Sequence, residues 1–476
     1  MRIVSPLLLI TLLAACSTGK QTPQTRRREM QERVNAAYDA RTEAQRNSPQ
    51  RGSVTPTGNL PNQPAGTPAQ VRTTAPVQAA DKATMPVQSA SDWAVTSIKS
   101  KFLAVDSTNA RVYMDLTFQS PAGSSVISTT DFAQHFQVAY IMYPDYNNRD
   151  RLGYGNITLN EQSVRRQGDH LRLIFDIKRP KDLSTAVLLT EVTEIGSGTK
   201  ARNDLTIRFG NNQLSDRYSL FDRDGQQPKL RHYVSTGDTV VIGDASNSRK
   251  QLYGIRYRHD FEAASSPMNT GARPVARSLS VDSTLTITTN QPFVLPVEGL
   301  YYFVEDTTAS SGIGLVVTDK RFPKLTRPEK LIKPVLYMST SSEINELGQA
   351  RDTKKAFDRY WLSLMAGNQD VAKNTIRAYF DRVEEANRLF TTYKEGWKTD
   401  KGMIYIILGA PDRVQRNRER EVWVYNRRAN ASEVNFTFTR KQNQFVEDHY
   451  ELVRYMEYQP VWYPIVEAWR TGAIRE

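Results

Sequence analysis

The sequence predicts a multidomain chain, β followed by α+β, behind a disordered tether, and three observations predict it. Residues 1–91 combine a short apolar leader with a Pro- and Thr-rich stretch that has no aromatic residue between Tyr38 and Trp93. From Trp93 to about residue 325, β-branched and aromatic residues alternate in short runs separated by Gly, Pro, Asn and Asp. Beyond Phe322-Pro323 the apolar spacing becomes helical and then returns to strands. A length of 476 residues exceeds one hydrophobic core, and 39% hydrophobic content is too polar for a multi-span membrane protein.

The N-terminus opens with Arg2 and an apolar run, Ile3 to Ala15, broken by Ser5 and Pro6. At helical rise this run spans only about 20 Å, short of the ~30 Å hydrocarbon core, so residues 1–15 read as a cleaved export signal. The sole cysteine follows, in Leu13-Ala14-Ala15-Cys16, which resembles the bacterial lipobox. An ordinary signal peptide with a chance cysteine is the alternative. Lipidated Cys16 would anchor the chain, since two or more acyl chains make membrane attachment stable. Ser17 stands where an Asp would resemble an inner-membrane retention signal, which points to the outer membrane. No acidic cluster follows, which points to its periplasmic face.

Residues 16–91 form the tether. Met30, Val34 and Tyr38 give a narrow apolar stripe on a short helix, with Arg26, Arg27 and Arg28 just upstream. These arginines either meet anionic head groups or belong to a solvated, fraying helix. Ser48 to Ala90 is too polar and proline-rich to offset ordering entropy. As a coil it averages roughly 35 Å end to end, and extended it exceeds about 100 Å.

Residues 92–212 carry strand patterns at Ala110–Phe118, Phe136–Tyr143, His170–Ile177, Ala186–Val192 and Asp204–Phe209. About seven such strands in this length fit an immunoglobulin-like β-sandwich. A second sandwich is expected over 213–325, from Tyr218–Phe221, Thr239–Ile242, Gln251–His259, Leu285–Thr288, Gly299–Glu305 and Gly314–Thr318, with a loop at Ala263–Ser278. Sandwiches serve adhesion, sugar binding and spacing alike. Tyr140, Tyr143 and Tyr146 either stack on sugars or pack within the fold.

Residues 326–476 read as an α+β module. Ser341-Ser342 precede a short acidic stretch. Phe357, Tyr360, Trp361, Leu364 and Met365 share a helix face over Thr353–Ala366, and Gly367 marks its stop. The next helix runs from near Gln369 to about Lys394. Strands are expected at Met403–Leu408, Glu421–Tyr425, Glu433–Thr439 and Gln444–Glu447, and a last helix over Ile465–Arg470.

Between the second helix and the first of these strands lies Gly396-Trp397-Lys398-Thr399-Asp400-Lys401-Gly402, leading to Gly409-Ala410-Pro411-Asp412. This run resembles the signature of the GWxTD domain family, envelope proteins of certain Gram-negative bacteria. Gly396, Trp397, Thr399 and Asp400 match the naming motif. The Arg377–Val383 stretch, Ala386-Asn387, Glu421–Tyr425 and Trp469-Arg470-x-Gly472 are similar to the family as well. The resemblance is specific from about Ala350 onward and looser over the sandwiches. It implies an architecture and a compartment, not a reaction.

Each motif residue has a structural use. Gly396 can end the helix with a positive φ, and Trp397 can turn back into the core. Thr399 and Asp400 can cap the turn that Lys401-Gly402 completes, and Gly409 with Pro411-Asp412 marks another turn. A second reading groups Glu395, Asp400 and Asp412 as carboxylates on a groove, a possible acid and base for glycoside chemistry.

Other signals are set aside. His135, His170, His232, His259 and His449 show no ligand spacing. The STGK of 17–20 adjoins the anchor, the GSGTK of 196–200 lacks a P-loop spacer, and the DRDG of 222–225 has no closing Glu. No metal or cofactor is expected. The +12 net charge suits anionic lipid, cell-wall polymer or nucleic acid, and export argues against nucleic acid.

The favoured function is a non-enzymatic outer-membrane scaffold that meets the membrane through its lipid and engages other envelope proteins or cell-wall polymer. A hydrolase of cell wall or polysaccharide using the C-terminal acids, and a glycan-binding lipoprotein, are the alternatives. Cys16→Ala is expected to leave an unprocessed or soluble exported protein where wild type fractionates with outer membrane. Processed Cys16→Ala protein that stays wholly in the membrane fraction would show that the lipid is not the anchor.

Overall fold

The computed structural model describes residues 93–119, 127–180, 183–210, 213–223, 225, 227–258, 260–271, 278–309, 311–428 and 431–474. All of them belong to one unit, Ala83–Glu476. The expected export signal, Cys16, the tether and His259 lie outside the described residues. Among the described residues, no helix is long and apolar enough to cross a membrane.

The first β region holds two four-stranded antiparallel sheets. One orders its strands β1-β2-β6-β5: β1 Ala94–Ala104, β2 Asn109–Gln119, β6 His170–Lys178 and β5 Val164–Gln167. The other orders them β4-β3-β7-β8: β4 Gly153–Ile157, β3 Phe136–Tyr143, β7 Thr185–Glu194 and β8 Lys200–Arg208. Their apolar faces meet, with Leu116, Phe118, Leu171 and Leu173 of one sheet in a cluster with Val138 and Val192 of the other. Helix α1 (Thr129–His135) closes that cluster with Phe132, and Ser128 caps it by accepting from the Asp131 N–H at 3.0 Å.

The second β region pairs a five-stranded sheet, β10-β16-β15-β12-β13, with a three-stranded one, β14-β11-β9. Its strands are β9 Tyr218–Phe221, β10 Tyr233–Ser235, β11 Thr239–Asp244, β12 Gln251–Tyr257, β13 Val281–Thr288, β14 Phe293–Val294, β15 Gly299–Val304 and β16 Ile313–Thr318. Short α2 (Leu214–Arg217) precedes β9. Strand β10 runs parallel to β16, and the other pairs are antiparallel. The five-stranded sheet is covered on both faces. Tyr301, Phe303, Leu315 and Val317 pack toward the three-stranded sheet, while Leu300, Tyr302, Val304 and Val316 join the core of the C-terminal region. Burial on both faces explains the unbroken apolar run of β15, where alternation would mark a half-exposed strand.

The C-terminal region begins with α3 (Pro328–Leu331), α4 (Ser341–Gln349), α5 (Thr353–Leu364) and α6 (Gln369–Phe390). Thr340 and Glu343 form a reciprocal capping box on α4. Asp352 and Asn368 cap α5 and α6 each with a single side-chain acceptor and no reciprocal partner. Helix α7 (Asp400–Leu408) follows, then the antiparallel sheet β17-β18-β19-β20: Arg413–Arg416, Arg420–Arg428, Ala431–Arg440 and Tyr450–Leu452. Helix α8 (Gln459–Thr471) ends at Gly472, which takes a left-handed conformation.

Two expected elements are corrected. Met403–Leu408 is helix, not strand, and α7 is buried along nearly its whole length. A short, wholly apolar run carries neither a period of two nor one of 3.6, so periodicity does not separate the two forms. The last strand is Tyr450–Leu452 rather than Gln444–Glu447; Phe445 instead turns its carbonyl onto the Gly314 N–H at 3.0 Å.

The first β region meets the rest through an apolar cluster and through charged side chains. Its apolar contact is a small cluster of Leu103 and Tyr113 with Phe221 and Val241. Around it, Arg172 donates to the Pro228 carbonyl at 2.6 Å and Lys99 to the Arg388 carbonyl at 2.7 Å. Arg416 reaches Asp204 at 2.9 Å, and Arg208 bridges Asp216 and Glu447, the latter at 2.6 Å. Burial raises the Asp216 carboxyl above its usual range although Arg208 opposes this. Arg208→Ala leaves Asp216 buried without its cation and is expected to cost about 3–5 kcal/mol in urea unfolding.

Candidate functional site

The motif is assembled at the end of α6. Asn387, fully buried in the last turn, donates through Nδ2 to the Pro323 carbonyl at 2.9 Å and accepts the Trp397 N–H at 3.0 Å. Thr391 donates to the Asn387 carbonyl at 2.6 Å and accepts the Gly396 N–H at 2.9 Å. The returning chain therefore lies directly on the helix it has just left. A Cβ on Gly396 would fall on the Ala386 carbonyl oxygen. Glycine is required here by close approach; the positive φ expected of Gly396 as a helix stop is not what it supplies, since α6 already ends at Phe390.

Gly396–Lys398 forms one 3-10 turn, and Thr399 then starts α7. The Thr399 hydroxyl donates to the Gly396 carbonyl at 2.7 Å and accepts the Gly402 N–H at 3.0 Å, so it joins the end of one turn to the first turn of the next. A Cβ on Gly402 would collide with the Gly396 carbonyl. Trp397 is 3% exposed; its indole N–H donates to Glu395 at 3.1 Å, and its carbonyl accepts the Tyr337 hydroxyl at 2.7 Å. Gly409, with φ of 83°, ends α7, and its carbonyl accepts from Tyr425 at 2.9 Å. Trp469 and Arg382 donate to the Ile407 carbonyl at 3.1 and 3.2 Å, filling the acceptors of the last turn.

The acids of the motif are held separately. Asp400 accepts the Leu452 N–H at 2.7 Å and pairs with Arg454 at 2.6 Å, so it links α7 to β20 rather than capping its own turn as expected. Arg454 also donates to the carbonyls of Ser265 and Ser266. Glu395 pairs with the buried Lys398 at 2.7 Å, and Lys398 also reaches Asp260. Asp412, beyond the far end of α7, accepts the Asn426 N–H at 2.6 Å. Asp400 opens α7 and Asp412 lies past its end, and each is engaged by a different partner. The three carboxylates read as one group in the sequence are thus held by Lys398, by Leu452 with Arg454, and by Asn426 respectively.

Sequence reasoning did not single out a second buried set of charges. Lys401 lies over the Tyr450 ring at 3.8 Å and pairs with Glu421 at 3.1 Å; Glu421 also accepts from Arg416 at 2.9 Å and from the Trp423 indole at 2.6 Å. Burial raises the Glu421 carboxyl, but Lys401 and Arg416 outweigh it and hold the group at about 2. Burial lowers the Lys401 ammonium despite that pairing. Arg454 reaches Asp400, and Lys401 reaches Glu421, only once the sheet is formed, so local spacing gave no signal. Asn387 lies in the stretch similar to the family, but its double hydrogen bond depends on Pro323, far away in the sequence.

Two surface depressions lie elsewhere. One, of about 650 Å³, is lined by Asp222, Arg223, Lys229, Gly237, Asp238 and Thr239; the other, near 390 Å³, includes Tyr140, Asn156 and Phe175. Among the described residues no group of His, Cys, Asp and Glu is arranged to hold a metal ion.

The model of the GWxTD domain family matches residues 299–471, which takes in β15 and β16 of the second β region as well as the helices and the last sheet. No curated protein matches the chain. Among solved structures, the full ectodomain (Ig1–Ig3) of mouse nectin-like molecule 4 is similar at 13% identity, over 50% of this chain and 67% of that one, with a TM-score of 0.14.

Gly396→Ala is expected to destabilise the protein more than Gly348→Ala, whose added Cβ meets nothing nearby. Trp397→Ala should cost about 3–5 kcal/mol through lost burial and a cavity. Thr399→Ala should cost about 0.5–2 kcal/mol through the lost cap. Thermal and urea unfolding of the four proteins beside wild type measures this order.

Proposed function

The chain carries a GWxTD domain, and on that premise we propose that it is a non-enzymatic lipoprotein scaffold of the outer membrane. In this reading Cys16 carries the lipid, the tether gives reach on the periplasmic side, and three modules are held out to other envelope proteins or to cell-wall polymer. The modules are two immunoglobulin-like sandwiches (92–212 and 213–325) and the α+β module (326–476). Facing pairs of sheets in both β regions support the sandwich reading.

One observation carries the non-enzymatic reading: the polar side chains of the motif are committed to holding backbone. Thr399 joins two turns, Asn387 holds Trp397 and Pro323, and Asp400 holds both Leu452 and Arg454. A general acid or base needs access to substrate and a partner within reach of the same bond. Asp400 is 9% exposed and already accepts from two residues. Such a motif favours rigidity, which a scaffold needs and which a catalytic site needs only around free reactive groups.

The test is complementation of a deletion strain by Trp397→Ala, Asp400→Asn and Asp412→Asn, with unfolding measured on the same proteins. Asp400→Asn weakens the bond to Arg454 and should cost about 1.5–3 kcal/mol. Loss of function is expected to follow loss of stability across the three. A stable Asp→Asn protein that fails to complement, together with turnover of isolated cell wall by wild type but not by that variant, would replace the scaffold with a hydrolase.

A further inference from the structure

Residues 413–420 read Arg-Val-Gln-Arg-Asn-Arg-Glu-Arg and form β17 with the turn into β18. β17 is an edge strand, and all four of its residues are exposed. Asn417 closes the turn: its N–H donates to the Arg420 carbonyl at 2.9 Å, and its side chain accepts from Glu419 and Arg420 at 2.9 and 2.8 Å. Because Asn417 and Arg420 face each other as a hydrogen-bonded pair, antiparallel alternation directs the main-chain groups of Arg413 and Gln415 to β18. The same alternation turns those of Val414 and Arg416 outward, where no strand pairs with them among the described residues.

The side chains on this edge differ in what they already hold. Arg416 is bonded to Glu421 and Asp204, and Arg413 lies 3.8 Å from Glu433. The guanidinium groups of Arg418 and Arg420 are exposed and have no acid in ion-pair contact among the described residues. Val414 stands between Arg413 and Arg416 at 36% exposed.

We propose that the outer edge of β17 takes an extended acidic segment of a partner protein as an added strand. The segment bonds the main-chain groups of Val414 and Arg416, and its carboxylates meet Arg418 and Arg420 near the turn. Short, charged edges resist pairing with copies of themselves, and arginine against arginine would exclude a second copy here. The same charges favour an acidic strand, so one feature both rejects and selects. Anionic lipid would use the arginines but not the alternating N–H and carbonyl groups of the edge. The proposal names a partner for the scaffold and rests on that reading for the partner's existence, but the edge is tested independently of complementation.

The experiment uses the full chain and a labelled peptide of alternating Glu and Val, followed by fluorescence anisotropy at low and high salt. A Lys-Val peptide and phosphatidylglycerol vesicles are the controls. The acidic peptide is expected to bind, the basic one not, and amide exchange at Val414 and Arg416 to slow on binding. Reversing Arg418 and Arg420 to Glu should weaken binding about tenfold or more at low salt. Val414→Pro should weaken it similarly while keeping the β17–β18 ladder, since the lost N–H points outward. Binding unchanged by Val414→Pro, with no slowed exchange, would overturn strand addition. Vesicle capture without peptide binding would make the patch a membrane surface and overturn it too. Peptide binding that holds while the complementation result favours a hydrolase would leave this edge standing and remove the scaffold.

Discussion

The C-terminal region depends on backbone lying against backbone where the chain leaves α6 and returns. Gly396 sits on the Ala386 carbonyl, and Gly402 sits on the carbonyl of Gly396. No side chain fits in either place, so three segments share a volume that one β-carbon would open. Buried amides at such an approach need partners, and Asn387, Thr391 and Thr399 supply them. The direction of α7 follows from this corner, and with it the positions of everything packed around that helix.

From the corner the order spreads through aromatic and charged contacts. Trp397 meets Tyr337, and Trp469 meets Tyr379 edge-on at 5.2 Å while donating to the end of α7. Asp400 and Arg454 join the start of α7 to the last strand and to the Ser265-Ser266 segment of the second β region. Tyr302 and Phe445 stack edge-on at 5.3 Å across the same boundary. The helical region and the five-stranded sheet thus share one core, in keeping with a family match that begins at Gly299. Buried ion pairs of this kind add little net stability against their desolvation, but each fixes one register.

The first β region is attached through a small apolar cluster and through polar contacts of Arg172, Arg208, Arg416 and Lys99. Hydrogen bonds and ion pairs at such a boundary set orientation, and the more exposed ion pairs among them are weakened by salt. The scaffold reading thus has a C-terminal block with one shared core and a neighbour held by both apolar and directional polar contacts. Within that block the exposed arginines gather on the free edge of the sheet, opposite in character to the satisfied charges of the motif.

What the sequence determined by itself was local. Phe136–Tyr143 and Tyr218–Phe221 announce strands by composition between turn residues, and apolar residues at helical spacing announce a helix from near Gln369. Trp397 reads as a core residue, and Gly409 as a stop, without knowledge of any distant contact. Ala94–Ala104 carries a weaker alternation, since a bulge after Val95 shifts its register and Ser100 stands between Ile98 and Phe102 on its core face. Tertiary structure decided the rest. Met403–Leu408 is helical and enclosed on all sides, and that enclosure removes the periodic signal that exposure of one face creates. Asp400 meets Arg454 across 54 residues, and Asn387 meets Pro323 across 64, so neither bond has a trace in local spacing. Whether a carboxylate is a catalyst or a clasp depends on what stands opposite it, and only folding brings that group there.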